Sequence, residues 1–370
     1  MTEKFQAEQQ KKRRLEIGGR SLGDGYPCFV TYEAGPTHDG VETAIRLVQE
    51  AAQAGADAVK FQIFDADRLV ADRKQLFNYS ILKDPSTGEL QEVSEPLHAI
   101  LKRRCLEPDQ WRKVKAHADA CGLEFFATAD FEDDLSLLME LGCHSVKISS
   151  ADVDHAPLLR LAARSGLNVQ LDTGNAEISE IATAVQILER EGCKSIIIHQ
   201  CPSGYPAHLP SICLRMISSL RDHFPSYPIA YSDHTPEADM DIAAIALGAN
   251  LIEKTITLDR STPSVEHAFS LEPAEMKDFI RRLRDVETAL GTYDRRLDKE
   301  QKQKRLLLRR SPYVLNASKK GVAVADLPVE FRRPGTGLTP LEWEEACATN
   351  MHLLKSLDAG EQLRKEHIFL

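Results

Sequence analysis

Between residues 28 and 291, short apolar runs alternate with longer amphipathic stretches. The runs are CFVTYE (28–33), AVKFQ (58–62), LEFFATAD (123–130), SVKISS (145–150), NVQLDTG (168–174), SIIIHQC (195–201), PIAYSD (228–233) and LIEKTIT (251–257). They are continuously apolar rather than alternating, the pattern of strands buried on both faces of a parallel sheet. Each is followed by a stretch at helical spacing. VETAIRLVQEAAQAGA (41–56) is the first, with Gly55 as its stop signal, and EPAEMKDFIRRLRDVETALG (272–291) is the last. Eight strand–helix units predict an α/β fold, a (β/α)8 TIM barrel, with an open doubly wound sheet as the runner-up that the count disfavours.

The pattern breaks in three places. Residues 63–108 form a long mixed segment with a turn at PSTGE, the length of a lid or binding loop. The charged, glycine-poor run DRRLDKEQKQKRLLLRR (294–310) predicts a partly helical linker. Beyond it, SPYVLNA and VEFRR, turns at KKG and RPGTG, and the helix LEWEEAC predict a small mixed domain. The expected organisation is an N-terminal extension (1–20), a barrel domain (21–293), a linker (294–310) and a C-terminal domain (311–370).

Composition narrows the partners. A net charge of −10 argues against nucleic acid or an anionic membrane as the main partner, although local lysines can still make a positive pocket. No apolar run reaches 18 residues, so no membrane span is expected. The start, MTEKFQAEQQKKRRLEI, is charged and lacks the apolar core of a secretory signal. Eight scattered cysteines without a CxxC pair read as free thiols in a reducing compartment, so the expected location is cytoplasmic.

Polar residues gather where the runs end. Ile229–His267 places Ser232, Asp233 and His234 after one run, Glu253, Thr255 and Thr257 in the next, and Glu266 and His267 beyond. Charged and polar groups at the carboxyl ends of successive strands are the layout of a barrel's active face. Lys60 and Lys147 each stand inside an apolar run, where a lysine needs a partner. Lys60 and Gln62 share one strand face by alternation.

The ordered set EAGPTHDG (33–40), AGADAVKFQ (54–62), ATAD (127–130), VKISSAD (146–152), DTGNA (172–176), CPSGYPA (201–207), YSDHT (231–235), HAFSLEP (267–273) and FRRPGTGLTP (331–340) resembles the sialic acid synthase family. Members of that family are phosphoenolpyruvate-dependent nonulosonate synthases with a C-terminal antifreeze-like (SAF) domain. The resemblance implies condensation of phosphoenolpyruvate with an open-chain N-acyl hexosamine, N-acetylmannosamine-like, to a nine-carbon 2-keto acid. A legionaminate- or pseudaminate-type product, or another phosphoenolpyruvate-dependent aldol synthase, are the alternatives, with a non-catalytic sugar-binding relative behind them.

The resemblance also assigns roles. Glu33, Lys60 and Glu266 are the expected catalytic groups. Lys60, Thr128, Lys147, Ser150, Ser203, Tyr205 and Ser232 would cradle phosphoenolpyruvate. Glu33, Tyr205, Glu266 and Arg333 would meet the sugar, Arg333 reaching across a domain-swapped homodimer. A divalent ion, manganese or else magnesium or cobalt, would act as a Lewis acid. His234 matches one of its two histidines, and Thr255 stands where the other is expected. Glu253, Glu266, His267 or water would then complete the site, unless the chemistry has become metal-independent. His38 reads as a loop-structuring residue, and His199 has no assigned role because Gln200 takes the place before Cys201.

Overall fold

The structure is a computed structural model that describes residues 13–368 apart from Pro85 and Tyr293. The polar start Met1–Lys12 lies outside the described residues. The chain divides into two compact units, Met1–Gly291 and Thr292–Leu370.

In the first unit, eight parallel strands close a barrel. They are β1 (Phe29–Glu33), β2 (Ala58–Ile63), β3 (Glu124–Ala129), β4 (Ser145–Ile148), β5 (Asn168–Asp172), β6 (Ile196–Gln200), β7 (Ile229–Asp233) and β8 (Leu251–Thr255). Each lies inside, or within a residue of, the apolar run that predicts it, and β8 pairs with β1 to close the ring. Helices on the outside run from Val41–Ala54, which ends on Gly55 at φ 89°, to Pro273–Leu290. This is a TIM barrel.

Strand alternation sorts the side chains into two sets. Val30, Tyr32, Val59, Phe61, Phe125, Val146, Val169, Ile198 and Ile252 face outward into the large core shared with the helices. Inward, the lowest layer is apolar: Phe29, Ala58, Phe126, Ile197, Ala230 and Leu251 pack together. Two positions further along β1, β2, β6, β7 and β8, the inward residues are Thr31, Lys60, His199, Ser232 and Glu253, all buried. The interior therefore changes from hydrocarbon to charge within one turn of the pleat.

The lowest layer is closed by an element absent from the sequence reading. Arg14–Ile17 pairs antiparallel with Arg20–Gly23, and Ile17 and Leu22 pack into the apolar barrel floor. Gly18 and Gly19 both take positive φ (52° and 81°), as a two-residue hairpin turn of this kind requires. The boundary expected at residue 20 falls inside this hairpin.

The 63–108 segment is also more regular than a loop. Leu76–Asp84 and Glu89–Pro96 form an antiparallel hairpin, and Tyr79 packs with Ile100 and Val265. In the second unit, Ser311–Val314 pairs with Val329–Arg332, the helix Pro340–Ala348 follows, and Val314, Val324, Leu338, Leu353 and Leu363 form the core. No helix among the described residues is long and apolar enough to cross a membrane.

One outward residue is a charge. Lys254 Nζ donates to Asp233 Oδ2, to the carbonyls of Thr235 (2.6 Å) and Glu237 (2.7 Å), and to Asp241 Oδ2 (3.2 Å). Tyr231 Oη donates to Asp233 Oδ1 at 2.7 Å, and Thr235 Oγ1 to Oδ2 at 2.7 Å. This buried network ties down the loop after β7. Removing one partner of a buried ion pair typically costs about 3–5 kcal/mol, because the remaining charge is left uncompensated. Lys254→Met is expected to lose stability of that order, read as a fall in the urea midpoint.

Candidate active site

The carboxyl end of the barrel opens into a cavity of about 310 Å3. Neighbouring strands deliver its charges in register: Glu33 lies beside Lys60 on one side and Thr255 on the other, and Ser232 lies beside Glu253. Lys60 Nζ donates to Glu33 Oε2 and lies 3.3 Å from Glu253 Oε1. Lys147 Nζ donates to the same Glu253 oxygen at 2.8 Å and to Ser232 Oγ at 2.8 Å, with Asp172 Oδ2 at 3.0 Å. Glu33 Oε1 accepts the Gly35 N–H at 2.7 Å. A Cβ at Gly35 would fall 2.8 Å from that oxygen, so the close approach depends on glycine.

Electrostatics follow from the pairing. Burial would lower the Lys147 pKa, but Asp172 and Glu253 outweigh it and the ammonium is held well above the usual lysine range. Lys60 is lowered by burial, which Glu253 only partly offsets. Burial would raise Glu253, yet Lys147 and Lys60 pull it well below the usual carboxylate range. Lys147 is thus a fixed cation, and Lys60 is the more easily deprotonated of the two.

The structure brings most of the expected residues together. Glu33, Lys60, Thr128, Lys147 and Ser150 line the cavity. Tyr205, His234, Glu253 and Glu266 line it as well. Ser232, 1% exposed, is level with Glu253 but does not line the cavity; its hydroxyl sits between Lys147 and His199. Ser203 is exposed and bonds the Gly174 carbonyl and Asn175 Oδ1, outside the cavity lining. Arg333 belongs to the second unit, where its Nε donates to the Leu308 carbonyl at 2.7 Å.

Other expectations shift. His199 points into the barrel, its Nδ1 3.0 Å from Ser232 Oγ and its Nε2 3.0 Å from Gln170 Oε1; burial pushes its pKa down to about 3, so it is a neutral strut under Lys147. His38 packs edge-on against Phe61 and Trp111, as a structural residue would.

The residues present do not make up a divalent-ion site. His234 supplies one imidazole, its Nδ1 buried and without a partner and its ring 4.6 Å from that of Tyr205. Thr255 Oγ1 donates to Glu266 Oε2 at 3.4 Å. Glu253 Oε1 is held by two lysines, and its Oε2 is buried without a partner. His267 does not join His234: its Nδ1 bonds Thr257 Oγ1 at 2.7 Å and it lines a neighbouring cavity. Among the described residues, no three of His, Cys, Asp and Glu gather in a metal-holding arrangement.

Three residues join the site that the sequence reading did not single out. Asp172 ends β5 inside the quoted DTGNA motif and pairs with Lys147. Asp130, from ATAD, lines the cavity. Burial, then Asp152 and Asp134, push its carboxyl up to about 7. Arg104, from the mixed segment, lines both cavities at 4% exposure. Nothing in KRRC distinguishes it from a surface arginine.

A family model, NeuB, matches residues 47–295. The chain belongs to the NeuB family. It is 31% identical over 356 residues to the N,N'-diacetyllegionaminic acid synthase of Legionella pneumophila, covering 95% of this chain and 97% of that one. It is 32% identical over 280 residues to the human N-acetylneuraminate-9-phosphate synthase, covering 75% of this chain and 76% of that one. A solved N-acetylneuraminic acid synthetase from Leptospira borgpetersenii superposes with a TM-score of 0.68 at 28% identity, over 79% of this chain and 95% of that one.

The raised Asp130 carboxyl makes a prediction about stability. A folded pKa above the unfolded value favours the folded state at low pH, and that contribution is lost as pH rises toward 7. Asp130→Asn is therefore expected to raise the thermal midpoint at pH 8 and to leave it unchanged near pH 3.5, measured by calorimetry at both values.

Proposed function

We propose that this chain is a nonulosonate synthase that joins phosphoenolpyruvate to the open-chain aldehyde of an N-acyl hexosamine of the N-acetylmannosamine type. The products are a nine-carbon 2-keto acid and phosphate. The observation that carries the reading is the pair of buried lysines, Lys60 and Lys147, under the mouth cavity of a NeuB-family barrel. Relatives named as sialic, legionaminic and pseudaminic acid synthases support the product class.

In this reaction C3 of the enol attacks the aldehyde carbon, and the carbonyl π pair moves onto oxygen as an alkoxide. Water adds at the cationic C2 and loses a proton, which balances the proton taken by the alkoxide. The C2–O bond to phosphate then breaks with its electron pair on the phosphate, which takes the remaining hydroxyl proton as C2 becomes a ketone. The chain's residues supply position and charge. Lys147, held by Ser232, Glu253 and Asp172, with Ser232 braced in turn by His199, fits the role of an ammonium fixed under a phosphate or carboxylate. Lys60 and Glu33 share a proton-bearing contact beside it, suited to moving a proton or holding a sugar hydroxyl. Thr128 and Ser150 add hydroxyls on the wall, and Tyr205 with Glu266 borders the side where a sugar would lie. The second unit is proposed to be the SAF domain, with Arg333 of a second copy offering its guanidinium to the acyl oxygen in a domain-swapped homodimer.

Two measurements follow. Phosphate release from phosphoenolpyruvate, assayed against mono- and di-N-acetylated hexosamines and a 6-phosphorylated one, is expected to depend on one of these sugars. Lys147→Met is expected to lower kcat/KM by at least about 10²-fold, in line with the loss of one charged donor to a reacting group. Release that ignores every sugar would sink the synthase reading. Arg333→Ala is expected to raise the sugar KM and leave the phosphoenolpyruvate KM unchanged; equal sugar KM values in variant and wild type would refute the proposed acyl contact.

A further inference from the structure

Counting charges in the site exposes a deficit. Lys60 and Lys147 bring two positive charges against the carboxylates of Glu33, Asp172 and Glu253 that contact them. The well is thus net negative before any anion enters. The reaction proposed above then develops a further negative charge on the aldehyde oxygen. Such a site needs another cation near the mouth, and the groups around His234 do not assemble the donors to hold a divalent one.

Arg104 is the cation that stands there. The short helix Leu97–Lys102 ends in a turn closed by the Arg104 N–H on the Leu101 carbonyl at 2.9 Å. From that turn the side chain enters the wall between the two cavities at the mouth. A guanidinium carries five N–H donors. Among the described residues its only side-chain hydrogen bond goes to Ser264 Oγ at 3.2 Å, and it forms no ion pair. Its neighbour Arg103, by contrast, is neutralised by Glu95. The opposing charge that acts most strongly on Arg104 is Glu266, which is influenced in turn by His234 and Arg104. Glu266 is also the residue that Thr255 touches. Arg104, Glu266 and His234 line the same cavity as the two lysines, and Thr255 touches Glu266.

We propose that Arg104 supplies the positive charge on the electrophile in this chain: its free N–H donors bind the aldehyde oxygen of the sugar and stabilise the alkoxide that forms there. Arg104 stays protonated throughout. The new carbon–carbon bond takes the enol pair, the carbonyl pair settles on oxygen against the guanidinium, and no electron leaves the two substrates. Thr255, a neutral residue bonded to Glu266, fits this arrangement, because a guanidinium needs acceptors beside it and not a second imidazole. The inference rests on the synthase reading, which supplies the aldehyde.

Two arms on the full-length protein test it. In the first, Mn2+ is titrated into the protein with phosphoenolpyruvate present, and free Mn2+ is followed by electron paramagnetic resonance. The expected result is no stoichiometric uptake; uptake of one ion per chain overturns the proposal without touching the synthase reading. In the second, chelator-treated wild type is expected to keep its rate of phosphate release. Arg104→Gln should lose about 10²–10³-fold in kcat, the effect of removing one oxyanion donor, with the phosphoenolpyruvate KM little changed. Arg104→Ala should be partly rescued by guanidinium ions at sub-denaturing concentration and not by Mn2+. Thermal midpoints and the Arg104→Lys variant, which keeps the charge and loses the fork, separate a chemical defect from misfolding. Wild-type activity in folded Arg104→Gln, or activity that chelation abolishes and Mn2+ restores, overturns it. If no sugar supports release even in Mn2+-supplemented wild type, the synthase reading fails, and with it the alkoxide role given to Arg104.

Discussion

The interaction on which the structure most depends is the ionic contact among Lys60, Lys147, Glu33, Asp172 and Glu253 inside the barrel. Charged groups are stable in such a place only when paired with good geometry. Each of the five comes from a different strand, so the pairing holds only if five strands keep their register. A one-residue slip would turn a lysine outward into the hydrocarbon between sheet and helices. Fold and site are therefore one requirement: the packing of Val59 and Phe61 on the outer face fixes the position of Lys60 on the inner face.

The same strands carry a second ionic network with its back to the first. Ser232 and Glu253 face inward, while their immediate neighbours Asp233 and Lys254 pair on the outside with Asp241. The two sets are separated by the thickness of the sheet. The outer network positions the loop that bears His234, and the inner one sets the charge of the well. Substitutions at adjacent residues can therefore act on different properties, one on the shape of the mouth and one on its electrostatics.

Much of the barrel was legible because a parallel strand buried on both faces leaves a dense apolar run, and each of the eight runs became a strand. Buried lysines in AVKFQ and SVKISS were legible for a related reason, since a charge within such a run must find a partner. Ser232 and His199 were harder: their inward direction is clear from alternation, but whether they touch ligand or support Lys147 depends on depth along the barrel. The Arg14–Gly23 hairpin was obscured by its short strands, although the Gly18–Gly19 pair is a hairpin signal. Arg104 could not be found at all from sequence, because its place in the cavity wall is set by the turn at Leu101. The metal expectation rested on residue types at matched positions, and the positions alone do not say that His267 bonds Thr257 and faces the neighbouring cavity.

The hairpin under the barrel has a consequence for traffic. Ile17 and Leu22 pack with Phe29 and Phe126 across the floor, so among the described residues that end of the barrel is filled with hydrocarbon and the charged cavity lies at the other end. A ligand bound in the cavity would therefore be reached from the carboxyl end of the strands and not through the floor.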